Sequence, residues 1–350
     1  MTKPSSKRWT NRPEGSTWGD FGEDDQTGRL ALLTPERVRR AAAEIRDGRA
    51  WCLSLPLDFP GGNKLNERRH PPRLFATVTA KGQPWFNQPL NVNGPDFTDV
   101  VSDDAVLLHC QYSTQWDALA HVGGLFDADG DGTPERVYYN GWRAEEHIIA
   151  PANTHGHDCS DFEGSHADRL GIENMAATGV QGRGVMVDLR HHLGDARTYV
   201  GYDDLMRVME ADKVEVEEGD MVCFHTGWAQ RVLEMDRDPS VEILHDACAV
   251  LDGRDPKLLN WVTDSGAAVL IADNYAVEGH PSRPGEGKHA VLPLHEHCLF
   301  KLGVHLGELW HLTPLAAHLR AAGRSRFFLT APPLRLPGAV GSPLTPIATT

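Results

Sequence analysis

From residue 184 to residue 329 the sequence alternates short apolar runs with stretches of helical period. Residues 184–189 (GVMVDL), 221–224, 267–272 (AAVLIA) and 327–329 read as strands, and 202–211, 241–250 and 256–264 read as helices between them. Strands that alternate with helices imply an α/β fold. Upstream, Thr34 as a cap, Pro35 in the first turn, the series Val38, Ala41, Ala42, Ile45, and Gly48 past the end predict a helix. Strand-like runs follow at 50–57 and 105–110.

With 350 residues, 40% hydrophobic residues and 34 glycines, the chain has material for a sizeable core. The expected layout is a polar, mobile arm over residues 1–17 and one domain over 18–350. Within that domain, residues 56–99 are rich in Pro and Gly and too long for a tight connection. Phe59, Leu74, Phe75, Trp85, Phe86 and Phe97 give this segment much to bury, so it is read as an arm crossing a site rather than a linker.

Lys plus Arg total 34 against 49 Asp plus Glu, a net charge of −15, which argues against nucleic acid and anionic lipid as partners. No apolar run reaches the ~18 residues of a membrane span, and no signal-like core follows the N-terminus, so a cytoplasmic protein is expected. The six cysteines form no C-x-x-C pair and read as buried thiols. There is no G-x-G-x-x-G or P-loop to hold a nucleotide.

Histidine is distributed unevenly: of 18, only His70 precedes residue 109. Chemistry is therefore sought in the middle and C-terminal parts. The stretch Gln111-Tyr-Ser-Thr-Gln115-Trp-Asp117-Ala-Leu-Ala-His121 lets a carboxylate and an imidazole converge, whether the segment is extended or Asp117 caps a short helix. The same spacing also accommodates a simple cap and a satisfied buried histidine. A second group is His295-Glu296-His297, with Glu308 and His311 beyond. On a strand His295 and His297 would face one way, and two imidazoles with a carboxylate form a common catalytic zinc shell, although solvated helix-face residues would give the same pattern. Asp127-Ala-Asp129-Gly-Asp131-Gly132 opens like a calcium loop but has Tyr138 where the bidentate Glu belongs, so an acidic turn is expected. His155/His157 and His191/His192 sit among turn residues and are read as non-ligating.

The stretch 111–121, taken with Trp18-Gly to Asp24-Asp25, Gly182 to Asp188, Gly219-Asp-Met-Val, Thr226-Gly-Trp228, Asp273-Asn with Glu278 and Glu308-Leu-Trp310, resembles a family of metal-dependent hydrolases named after a polyketide cyclase. That family includes bacterial kynurenine formamidase, isatin hydrolase and trans-dienelactone hydrolase. Its hallmark, H-x-G-T-H-x-D-x-P-x-H, keeps Thr114, Asp117 and His121 here. Gln111 and Gln115 replace its two metal-binding histidines, and Ser113 and Leu119 its glycine and proline.

The resemblance implies a swivelling β/β/α fold, a mixed barrel-like sheet with outer helices, and a homodimer or larger assembly. It implies a divalent metal, zinc or manganese, held by some of Asp117, His121, His295 and Glu308. His121 and Asp117 would be catalytic, and Gln111, Thr114, Gln115 and Trp116 would meet a small-molecule substrate. The expected reaction is arylformamidase-like cleavage of a small amide or lactone. The rivals are a metal-free cyclase or lyase that uses Gln111, Gln115, Asp117 and His121, and a binding protein without activity.

Overall fold

The computed structural model describes residues 7–156 and 158–350. Its centre is a curled nine-stranded mixed sheet. The strands are β1 (Ala50–Cys52), β2 (Gln115–Asp117), β3 (Gln181–Asp188), β4 (Met221–His225), β5 (Val269–Ala272), β6 (His305–Glu308), β7 (Arg326–Thr330), β8 (Gly341–Pro343) and β9 (Ile347–Thr349). Across the sheet they run β1-β9-β7-β3-β4-β5-β6-β2-β8. The pairs from β3 to β6 are parallel, and the flanking pairs are antiparallel. The expected α/β class and mixed, barrel-like sheet with outer helices are what is found.

The central strands are apolar at nearly every position because both faces are covered. Val185, Val187, Val222, Phe224, Leu270 and Leu306 face one core, with the helices Tyr202–Ala211 and Pro256–Asp264. The alternate residues Met186, Met221, Cys223, Val269 and Ile271 face the other, beneath the helix Thr313–Ala321. Burying each large side chain contributes about 1.5–3 kcal/mol, and the two-residue alternation divides that burial between the faces.

Several expectations shift. The first helix stops at Ala42, with its Thr34 cap and Pro35 as read. Residues 241–250 split into a helix to Asp246 and a separate strand, Ala249–Leu251. The run at 105–110 lies outside the main sheet: Asp104–Leu107 pairs with Arg73–Ala76 in a two-stranded ribbon. Within the arm Phe59 is buried, but Leu74, Phe75, Phe86 and Phe97 are exposed. Of the N-terminal segment, Thr10 and Asn11 donate to Ala128 O, and Trp9 packs against Trp18. Cys223, Cys248 and Cys298 are buried as expected, whereas Cys52 and Cys159 are exposed. Among the described residues, no helix is long and apolar enough to cross a membrane.

Candidate functional site

At one end of the sheet β2 lies antiparallel to β6, with Gln115 opposite Glu308 and Asp117 opposite Leu306. The alternation of side chains puts Gln115, Asp117 and Glu308 on one face and Trp116 on the other. Over that face runs a short helix, Pro293–His295, started by proline and continued by a wider turn, Glu296–Leu302. It brings His295 down between the two strands. One metal-donor atom from each of Asp117, His295 and Glu308 lies within 4.8 Å of the others.

The hydrogen bonds show how the group is held. Glu278 accepts from the backbone N–H groups of Leu294 and His295 and, at 2.8 Å, from His295 Nδ1. That leaves His295 Nε2 facing Glu308 Oε1 at 3.1 Å and Asp117 Oδ2 at 3.8 Å. Gln115 Nε2 donates to Glu308 Oε2 at 2.9 Å and to Asp117 Oδ1 at 3.4 Å. After β2 the chain turns, His121 N–H bonding to Ala118 O, and His121 Nε2 returns to 3.8 Å from Asp117 Oδ1. The His121 side chain keeps 22% of its surface exposed, against 1% for Asp117 and 4% for His295, so it is the member that meets solvent.

The electrostatics are those of a site short of positive charge. Burial, and then the neighbouring Glu308, push the Asp117 carboxyl well above its ordinary range. Burial alone would push His295 down, but hydrogen bonds to Glu278 and Glu308 outweigh it and carry the imidazole up to about 10. Burial likewise opposes ionisation of Glu308, and the hydrogen bond from His295 reverses that, so its pKa falls. His121 is pushed down to about 4, by burial first and then by His295 and Arg69.

Asp117 Oδ2 and Gln115 Oε1 are buried with no hydrogen-bond partner. Unsatisfied buried oxygens beside two carboxylates and an imidazole are the donor chemistry of a divalent cation. The residues present therefore fit a metal, with His295 oriented by Glu278 in the carboxylate–histidine arrangement usual behind metal-bound imidazoles.

Other expected members are placed elsewhere. Trp116 is fully buried on the opposite face, donating to Ala331 O and stacked edge-on against Trp310, so it cannot line a substrate site. Thr114 Oγ1 accepts from Leu55 N and donates to Leu309 O, which commits it to the fold. His297 does not share a face with His295, because this segment is helical and not a strand; it bonds Thr263 Oγ1 at 2.9 Å. Gln111 lies outside the converging group, beside Arg69 and Tyr275 in a small cavity under the root of the arm, and its carbonyl accepts from Arg69 at 2.8 Å. The Asp127–Thr133 loop closes on itself, Asp127 accepting from Gly130 and Gly132 and Asp129 from Asp131. His192 bonds Asp212, and His157 lies outside the described residues.

Glu278 and Arg69 were not anticipated as site residues. Glu278 lies 17 positions before His295 and has no spacing signal of its own. Arg69 comes from the arm, held there as Asn66 donates to Tyr275 OH.

Comparison with known proteins gives the family and the fold. The profile of a family described as "Putative cyclase" matches residues 53–279. A crystal structure described as that of a novel cyclase is 30% identical, covers 96% of this chain and 97% of its own, and has a TM-score of 0.71. Isatin hydrolase A from Labrenzia aggregata, bound to benzyl benzoate, is 13% identical over 89% of this chain and 96% of its own, with a TM-score of 0.53. Isatin hydrolase A from Ralstonia solanacearum is 15% identical over 86% and 91%, with a TM-score of 0.51. At those identities the likeness is one of fold. No curated protein matches.

Proposed function

Because the chain belongs to this cyclase family, we propose that it is a metal-assisted hydrolase of a small aryl amide or lactone, with arylformamide cleavage as the archetype. The observation that carries the reading is the convergence of Asp117, His295 and Glu308 around an unpartnered buried oxygen of Asp117. A divalent ion held by these residues supplies Lewis acidity, making water a nucleophile near neutral pH and polarising a carbonyl.

The protein's own groups do the rest. Glu278 fixes His295 with Nε2 inward. His121, neutral at pH 7 and with 22% of its side chain exposed, would take the proton of the attacking water at Nε2 and return it to the leaving nitrogen or oxygen. Asp117 Oδ1 lies 3.8 Å from that nitrogen, where its charge would favour the imidazolium once the proton has been taken. Gln111 and Arg69, which share one small cavity, would meet the substrate. Residues 122–125, which follow His121 in the chain, border an open cleft of about 780 Å³ faced by Leu292 and Glu296; none of Asp117, His121, His295 and Glu308 lines it. We read the enzyme as a cytoplasmic homo-oligomer.

A metal-free lyase or cyclase is favoured by one observation: Gln115 Nε2 already donates to both carboxylates, and His295 already pairs with Glu308, so most hydrogen bonds close without an ion. Chelation separates the two readings. Protein stripped with EDTA should lose turnover of an N-formyl aniline or a fused aryl lactam and regain it with manganese or zinc. Full activity after stripping would establish the metal-free route.

A further inference from the structure

Gln115 holds the position at which the family hallmark carries a metal-binding imidazole, and its surroundings bear on which ion the site takes. This step rests on the metal-assisted reading above. The side chain is fully buried and directly opposite Glu308 in the β2–β6 register. Its Nε2 lies between the two carboxylates, 2.9 Å from Glu308 Oε2 and 3.4 Å from Asp117 Oδ1. A cation shared by those carboxylates would meet an N–H donor there, which repels it. The amide's other end, Oε1, is buried with no partner. Turning the amide over about its last bond puts Oε1 where Nε2 now lies and moves no backbone; it gives up the two hydrogen bonds from Nε2, which a cation between the carboxylates would replace.

We propose that Gln115 is the ion-selectivity residue of this site: with its amide oxygen turned inward, Gln115, Asp117, Glu308 and His295 offer three oxygens and one nitrogen, a donor set for a hard divalent ion such as manganese or magnesium. Carboxylate and carbonyl oxygens suit those ions, whereas imidazole suits zinc. Zinc still outranks manganese at any one set of N and O ligands. Selectivity therefore shows as a narrowed gap between the two ions and not as a reversal. Gln111, the hallmark's other replaced histidine, does not join this set; its side chain lies against Gly341 and the cavity of Arg69.

The test is equilibrium titration of the full, chelator-stripped chain with manganese, followed by electron paramagnetic resonance of the free ion, and with zinc, by competition against a chromophoric chelator. Gln115→His should raise the ratio of zinc to manganese affinity by roughly tenfold or more, and Gln115→Leu should weaken manganese by a similar factor, the scale on which metal sites respond to lost support. The leucine variant discriminates by sign. If the amide serves only as a donor that braces the empty site, removing it leaves manganese affinity unchanged or raised, and the proposal falls. An unchanged ratio in Gln115→His, with wild type binding both ions, overturns the selectivity role and leaves the metal reading standing. Failure of wild type to bind either ion overturns both.

Discussion

Two buried histidine–carboxylate clusters stand at the same end of the parallel strands, and they differ in how completely their polar atoms are bonded. The first is the candidate site at Asp117, His295 and Glu308. The second lies at the ends of β3 and β4 and just past β5. There His225 Nδ1 meets Asp188 Oδ1 at 2.7 Å, and Nε2 meets Thr313 Oγ1 at 3.0 Å. Asp273 accepts from Thr226 N, Thr226 Oγ1 and Gly227 N, each at 2.7 Å. Arg320 pairs with Asp188. Among the described residues, no side-chain atom of that second cluster is buried without a partner, whereas Asp117 and Gln115 each leave one. The residue types are nearly the same. A satisfied network ties strands, loop and helix together; an unsatisfied one whose donor atoms converge has capacity to bind a ligand.

The largest effect expected from this contrast is kinetic. Changing His121 to Asn should cut turnover by about two to four orders of magnitude, the range of a positioned acid–base group, and leave the thermal midpoint nearly unmoved. His225 to Asn should do the reverse. Steady-state rates and melting curves on both variants decide it. Wild-type turnover in the His121 variant, or lost turnover in a fully stable His225 variant, would put the chemistry in the wrong cluster.

The next effect is on stability. Asp273 to Ala strands the backbone N–H groups of Thr226 and Gly227 in the interior and removes the carboxylate that faces His225 Nε2 at 4.0 Å. Stranded buried donors cost about 1–3 kcal/mol each, so urea denaturation should show a loss of about 3 kcal/mol or more. Manganese affinity at Asp117, two strands from β5 in the sheet, should stay within about threefold, since among the described residues the Asp273 carboxylate bonds only Thr226 and Gly227 and shares no hydrogen bond with the candidate site. A loss of metal binding at full stability would show that the clusters are one unit.

How far the sequence reveals this contrast depends on the length of the elements. The core strands β3, β4 and β5 were legible because runs such as VLIA in β5 are buried on both faces. The α/β class follows from them. β2 and β6, which carry the site, were not. QWD and HLGE are three and four residues long and mix polar with apolar types, and only pairing across the β2–β6 register makes them strands. That is why Trp116 was expected to face substrate beside Asp117, when a strand must send it the other way. His121 and Asp117 were legible from spacing, and His295 and Glu308 from a histidine–carboxylate pattern that wrongly included His297. Glu278 entered only as part of the resemblance, with no role attached, because its bond to His295 comes from long-range folding. The sequence was equally silent on which histidine cluster is satisfied, because satisfaction is a property of neighbours brought from β3, β4, β5 and the helix Thr313–Ala321.

The smallest effect sharpens the criterion itself. His305, the first residue of β6, also has a buried ring atom without a partner, Nδ1, yet among the described residues it belongs to no group of three or more metal-donor side chains. By strand alternation it points away from the face that carries Glu308. A lone unsatisfied atom of this kind should be only a stability liability, and its pH dependence follows from burial. Burial pushes His305 down to about 3 from an unfolded value near 6.5. Between those values the unfolded chain binds a proton that the folded chain refuses, so stability rises with pH, is fully present above about 6.5, and is lost as the solution is acidified. By pH 5 that amounts to about 2 kcal/mol for one such group. His305 to Leu should therefore remove about 2 kcal/mol of the difference between wild-type stabilities at pH 7 and pH 5, measured by urea denaturation on chelator-stripped protein, while turnover at pH 7 stays within about twofold of wild type. Equal acid sensitivity in the two proteins would mean that the folded state protonates His305 freely, and a large loss of turnover would mean that an orphaned atom need not converge with others to mark a working site.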